Sequence, residues 1–172
     1  SNYNDFLIRK MQIVYDKKLI NASNKKTMGE IYKKTLEREK KLKKKLISLI
    51  IPTFKQEKTI EKDLLRIKSV LDQLRCDYEM IIVVDGMVDK SFQNAKKVRS
   101  PKIKVIGYPN NRGKGHAIRF GMGKAKGDII AFIDSGMDLN PNGLSMLLEH
   151  FEWYSADIMV GSKRHPVSKV DY

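Results

Sequence analysis

From residue 47 onward, short apolar runs alternate with longer segments in which apolar residues recur at every third or fourth position. Ile47-Ser48-Leu49-Ile50-Ile51 is short, rich in isoleucine and closed by Pro52-Thr53, so it predicts a buried strand. Ile60, Leu64, Ile67, Leu71 and Leu74 step by threes and fours and predict an amphipathic helix. Met80-Ile81-Ile82-Val83-Val84, stopped by Asp85-Gly86, predicts a second buried strand, with a short helix near 91–98 behind it. Residues 103–108 predict a third strand. A helix over 115–124 sets Ala117, Gly121 and Ala125 on one face small enough for close packing. Residues 128–133 predict a fourth strand ending at Asp134. Asn140 then reads as an N-cap and Pro141 as a first helical residue, ahead of the stripe Leu144, Leu147, Leu148 and Phe151. Ile158-Met159-Val160 predicts a short fifth strand.

Strands and helices in this alternation imply an α/β, Rossmann-like domain with a mostly parallel sheet and helices on both faces. Ligands on such sheets bind beyond the carboxyl ends of the strands. Those ends carry Pro52-Thr53, Asp85, Tyr108-Pro109-Asn110 and Asp134.

Composition adds an N-terminal distinction. The chain has 172 residues, enough for one domain with a real core. Its net charge of +14 is unevenly spread: residues 1–46 hold 14 Lys/Arg against 5 Asp/Glu, leaving 20 against 15 for residues 47–172. Residues 1–46 therefore read as a basic helical extension before the domain at 47–172. Its charge fits a solvated helix face or attraction to an anionic membrane, at about 1 kcal/mol per basic residue. Nucleic acid is not an expected partner, because no nucleic-acid motif or interleaved aromatics accompany the lysines. The single cysteine, Cys76, excludes an intramolecular disulfide and suits a reducing compartment. No apolar stretch approaches a membrane span, and Phe6-Leu7-Ile8 is too short for a signal-peptide core. The ends, Ser1-Asn2 and Asp171-Tyr172, read as cuts in a longer protein, with the domain truncated on its C-terminal side.

Three segments carry candidate chemistry. Asp85 at a strand end can accept hydrogen bonds from a base or ribose, or can cap the turn before Gly86. The loop Asn111-Arg112-Gly113-Lys114-Gly115 precedes a helix whose N-terminus favours anions, and Arg112 or Lys114 could add charge against a diphosphate. It lacks the third glycine of a dinucleotide fingerprint, and Gly121-Met122-Gly123-Lys124 lacks Walker spacing. In Asp134-Ser135-Gly136-Met137-Asp138, two carboxylates past a strand can hold a hard divalent cation against phosphate oxygens; otherwise Asp138 only favours the positive end of the next helix. His116, His150 and His165 lack metal spacing. Trp153 and Tyr154 read as cover for the core.

In this order, the segments resemble the family 2 glycosyltransferases of GT-A fold. The family's opening strand and Pro-x-Tyr-Asn-Glu turn are similar to residues 49–57. Its Val-Asp-Asp-Gly-Ser-x-Asp segment is similar to Val84-Asp85-Gly86-Met87-Val88-Asp89, one residue shorter. Its Asn-x-Gly-Lys-Gly-x-Ala loop matches Asn111 to Ala117, and its Ala-x-Gly-Asp-Ile-Ile-Ala-Phe-x-Asp block matches Ala125 to Asp134. Gly161-Ser162-Lys163-Arg164 resembles the polyprenyl- and dolichyl-phosphate mannose or glucose synthases within it. The resemblance implies transfer of a sugar from UDP-glucose or GDP-mannose to a lipid phosphate, at the cytoplasmic face of a membrane, with Mg²⁺ or Mn²⁺. It implies that Pro52, Thr53, Phe54, Glu57 and Asp85 hold the nucleoside, with Arg112 and Lys114 near it or the diphosphate. Asp134 would be the catalytic carboxylate facing sugar and metal, and Lys163 and Arg164 would meet the acceptor phosphate. Gly136 stands where the family's Asp-x-Asp has its second carboxylate. Some lipid-phosphate synthases take a metal ligand two places later, which here is Asp138. Transfer to a sugar hydroxyl, or nucleotide-sugar binding without turnover, are the alternative functions.

Overall fold

In the computed structural model of the chain, residues 30, 33, 34, 36, 37, 40, 45–135 and 143–161 are described. The chain divides into two units, Ser1–Lys40 and Lys41–Tyr172. In the first, the described residues are helical and exposed. The described part of the second runs β1 (Leu46–Thr53), α1 (Ile60–Leu71), β2 (Asp77–Asp85), α2 (Ser91–Ala95), β3 (Ile103–Tyr108), α3 (Lys114–Met122), β4 (Ile129–Phe132) and α4 (Gly143–Tyr154). The strands form one parallel sheet in the order β3-β2-β1-β4. The chain steps outward from β1 to β3 and then returns through α3 to the other side of β1. The switch point of the sheet therefore lies between β1 and β4.

Two apolar layers hold the sheet. Ile47, Leu49 and Ile51 of β1 join Met80, Ile82 and Val84 of β2 on the face covered by α1, α2 and α4. Ile50, Ile81 and Val83 meet Ala117 of α3 on the other. Burial on both faces explains why these strands are near-continuous apolar runs. The expected small face of α3 is present. A Cβ on Gly121 would stand 2.5 Å from Ile50 Cγ2 and 3.0 Å from Val83 Cγ2. Glycine is what lets the helix lie this close to β1 and β2.

At the amino end of the sheet, buried Ser48 donates its hydroxyl to Glu79, 2.6 Å away. The Ser48 hydroxyl oxygen in turn accepts the amides of Lys126 and Gly127 at 3.2 and 2.8 Å. At the carboxyl end, β1 and β4 part. Ile133 donates its amide to the Ile50 carbonyl at 3.1 Å, whereas β1 stays paired with β2 as far as Thr53. Strand residues alternate the side on which they bond, so Pro52, two positions on, turns its nitrogen toward β4 and has no hydrogen to donate. The ladder to β4 ends there, at the switch point, where open parallel sheets have their ligand crevice.

Two expectations are corrected. Ile158-Met159-Val160 forms no strand. Ile158 and Val160 are 80% and 78% exposed, and no described strand offers them a ladder. Trp153 and Tyr154 do not cover the core: they are 50% and 68% exposed, and only Leu144, Leu148 and Phe151 of α4 reach it. The expected cap at Asn140-Pro141 lies outside the described residues.

Gly121→Val is expected to lower stability by about 1–3 kcal/mol through overpacking, read from the urea midpoint. Gly123→Ala, whose Cβ would meet nothing nearer than 3.7 Å, should stay within about 0.5 kcal/mol of the parent. Equal midpoints for Gly121→Val and the parent would refute the close packing.

Candidate functional site

The carboxyl end of β2 is tied to the loop between β3 and α3 by one side chain. Asp85, 3% exposed, accepts the Arg112 amide at 2.7 Å on one oxygen and the Asn111 side-chain amide at 3.1 Å on the other. Gly86 sits at φ +92°, and a Cβ there would come 2.8 Å from the Asn111 nitrogen. Met87 donates its amide to the Pro109 carbonyl at 3.0 Å. The Asp85 carboxylate thus sets the path of the loop that delivers Arg112 and Lys114.

Tyr108 is the register partner of Asp85. Its ring meets His116 and Phe120 edge-on, with centroids 5.2 and 5.3 Å away, and the Arg112 guanidinium lies 5.8 Å above it. Its hydroxyl is buried and finds no hydrogen-bond partner among the described residues. Burial, and then the Asp85 carboxylate beside it, push the Tyr108 phenol up to about 12. Although close enough to hold that proton on, the carboxylate does not reach hydrogen-bond geometry.

Gly113 precedes α3, and Lys114 is the first residue of the helix. The amides of His116 and Ala117 bond back to the Gly113 carbonyl, whereas those of the first residues have no partner within the helix, as at any helix start. Lys114 reaches across the crevice to Asp134, its ammonium 2.6 Å from one carboxylate oxygen and 2.9 Å from the other. The structure therefore brings together three segments far apart in sequence, at Asp85, Arg112–Lys114 and Asp134, at the carboxyl ends of the strands.

The remaining candidates fall differently. Pro52 and Thr53 are buried at the end of β1, and the Thr53 hydroxyl turns back onto the Ile51 carbonyl at 3.3 Å. Phe54 is exposed just beyond, with the Lys55 ammonium 5.2 Å from its ring centre. Lys55 holds φ +52°, a left-handed conformation that costs a non-glycine residue energy and recurs beside ligand sites. Glu57 clasps the next loop: its carboxylate accepts the Lys90 amide at 3.0 Å and its own amide reaches Asp89 at 3.3 Å. Asp138, Lys163 and Arg164 lie outside the described residues. Sequence reasoning did not assign roles to the Asn111 side chain or Tyr108. The signal for the first was its place at the head of the glycine loop.

The family model described as "Glycosyl transferase family 2" matches residues 48–171. The chain belongs to this family. It is 29% identical over 126 residues to a dolichol-phosphate mannosyltransferase of Pyrococcus furiosus, covering 73% of this chain and 35% of the relative. It is 32% identical over 133 residues to a dolichyl-phosphate beta-glucosyltransferase of Drosophila melanogaster, covering 69% and 41%. Among solved structures it is similar to glucosyl-3-phosphoglycerate synthase from Mycobacterium tuberculosis in complex with Mn²⁺, UDP and phosphoglyceric acid, with a TM-score of 0.51, 28% identity and coverage of 66% of this chain and 41% of that one. The chain thus spans little more than a third of the length of the curated relatives it matches. Members of this GT-A fold are crystallised with Mn²⁺ or Mg²⁺.

Among the described residues, no three His, Cys, Asp or Glu side chains converge as a metal site. Asp134 is the sole described carboxylate of the expected set, and its two oxygens already face Lys114. The described residues alone do not make a metal site. No described helix is long and apolar enough to cross a membrane.

Asp85→Ala should free the loop. Loss of the bond from the part-buried Arg112 amide costs about 1 kcal/mol, so that amide is expected to exchange hydrogen faster in NMR; unchanged exchange would show that the loop does not depend on Asp85. A second expectation concerns pH. The unfolded phenol releases its proton near 10 and folded Tyr108 near 12, so the folded state holds the extra proton in that window. The stabilisation is complete below pH 10 and is lost as pH rises through about 12. Phenolate absorbance should show this late step, and Tyr108→Phe should remove it.

Proposed function

We propose that this chain is the donor-binding part of an inverting glycosyltransferase that moves a hexose from UDP-glucose or GDP-mannose to a polyprenyl or dolichyl phosphate. The observation that carries the reading is the convergence of the Asp85-held loop, the start of α3 and Asp134 on the crevice between β1 and β4. Such a crevice takes nucleotides on open parallel sheets, and a helix start favours a diphosphate. The names of the mannosyl and glucosyl relatives support the sugar and the lipid phosphate.

In this reading Pro52, Thr53, Phe54, Glu57 and Asp85 form the nucleoside side of the site, Asp85 and Glu57 chiefly by fixing the loops around it. Arg112 and Lys114 face the diphosphate. Asp134 faces the sugar. An oxygen of the acceptor phosphate attacks the anomeric carbon, the bond from that carbon to the diphosphate oxygen breaks with inversion, and the nucleoside diphosphate leaves with the electron pair. Because the acceptor is already an anion, no general base is required. Lys163 and Arg164 would hold that anion. With Asp138, Asp134 would hold a Mg²⁺ or Mn²⁺ ion, which when bound adds positive charge at the leaving group. The protein would work at the cytoplasmic face of a membrane. Gly136, in the place of a carboxylate, favours one second reading, a nucleotide-sugar-binding module without turnover.

Calorimetry with UDP-glucose and GDP-mannose tests the donor. Binding of one of them is expected, and silence with both would remove the assignment. For the protein with its whole catalytic region, Asp134→Ala is expected to lower turnover about 10²–10³-fold, as loss of charge stabilisation does elsewhere. Donor hydrolysis or transfer at parental rate would exclude Asp134 from the chemistry.

A further inference from the structure

We infer that the outer edge of β3, with the groove beside it, is a docking surface for an extended acidic segment of a partner protein. Among the described residues, β3 pairs with β2 alone. Met80 donates its amide to the Lys102 carbonyl at 2.7 Å, and strand residues alternate the side on which they bond. Lys104 and Ile106 therefore serve β2, while Val105 and Gly107 turn their amides outward. The Ile103 amide is already taken by the Ser100 carbonyl at 3.1 Å, so the open row of donors begins at Val105. On the face that α2 covers, a groove of about 550 Å³ lies beside this edge. Buried Val98 and half-buried Ile103 and Val105 line it, with exposed Lys96 and Arg99 at its rim. The groove is at the entry end of β3, away from the carboxyl ends of the strands.

Charge selects what fits there. Residues 90–104 hold six Lys/Arg and no Asp/Glu, which exceeds the net excess of residues 47–172 as a whole, 20 against 15. Lys102 is held by Asp77 at 2.5 Å. Lys96, Lys97, Arg99 and Lys104 are exposed and form no ion pair among the described residues. A second copy of this edge would bring like charges together, and lysines on an edge strand act against such pairing. A bilayer surface uses the charge, but not a row of main-chain donors or a concave apolar groove. An added acidic strand uses all three. Main-chain bonds to Val105 and Gly107 supply affinity, side chains at alternate positions enter the groove, and carboxylates meet Lys96 and Arg99.

The test is calorimetry and NMR of the full chain with a peptide alternating valine and glutamate. A peptide alternating valine and lysine, and vesicles of phosphatidylglycerol in phosphatidylcholine, serve as comparisons. The glutamate peptide is expected to bind and to slow amide exchange at Val105 and Gly107 by about tenfold or more. The lysine peptide should not bind. Lys96→Glu combined with Arg99→Glu should weaken the glutamate peptide by about tenfold or more at low salt, and added NaCl should weaken parental binding. Both side chains are exposed, so the urea midpoint of the double variant should match that of the parent. Silence with the glutamate peptide, equal binding of both peptides, protection confined to other amides, or a double variant that binds as the parent does overturns the inference. So does binding to the vesicles without binding of the peptide, which would assign the charge to a membrane instead.

Discussion

The site depends on a hydrogen bond that one residue cannot make. β1 is paired on both sides up to Ile50 and on the β2 side alone beyond it. Pro52 is the residue whose nitrogen would have continued the ladder toward β4. Had an ordinary residue stood there, β4 could have stayed against β1 through another pair, and Asp134 would lie alongside the strand. With proline, β1 and β4 separate beyond Ile50. The crevice is therefore an end of pairing, placed by the sequence at the switch point of the sheet.

The elements around it are arranged to keep that opening in shape. Gly121 brings α3 down onto Ile50 and Val83, so the helix start projects over the end of β1 at a fixed height. Asp85 and Gly86 hold the loop entering the helix against β2. Glu57 and Asp89 bind the loops after β1 and β2 to each other. Three connections beyond the strand ends are thus each held by carboxylates. The cationic side chains that would meet a ligand remain on the solvent side of them.

What could be read from sequence follows from how far each signal reaches along the chain. β1 and β2 were legible because burial on both faces leaves unbroken apolar runs, and α3 because its small residues share a face. The order of the glycine loop and the Asp134 block revealed the family. Asp85 was ambiguous between ligand contact and turn, because its partners Asn111 and Arg112 lie far along the chain and only folding shows them. Glu57 entered through the family resemblance alone, and its contacts with Lys90 and Asp89 likewise show only on folding. The failures came on the C-terminal side. Apolar periodicity in α4 did not tell Leu148, which is buried, from Trp153, which is not, since what decides is the surface each meets. Ile158–Val160 has a strand's composition, but a strand needs a neighbour.

The Ser48 contact has a further role in assembly. β1 and β2 face each other through apolar side chains, with Leu49 opposite Met80, Ile50 opposite Ile81 and Ile51 opposite Ile82. Oil tolerates oil, and nothing in those pairs distinguishes one alignment from another shifted by two places, which keeps the same faces inward. Ser48 does distinguish them. Only in the observed alignment does its hydroxyl lie against Glu79, its register partner; a shift of β1 along β2 would leave the buried Ser48 hydroxyl without that acceptor. One small polar residue in a greasy strand thus acts as a proofreading mark, rejecting sheets that are well packed but misaligned.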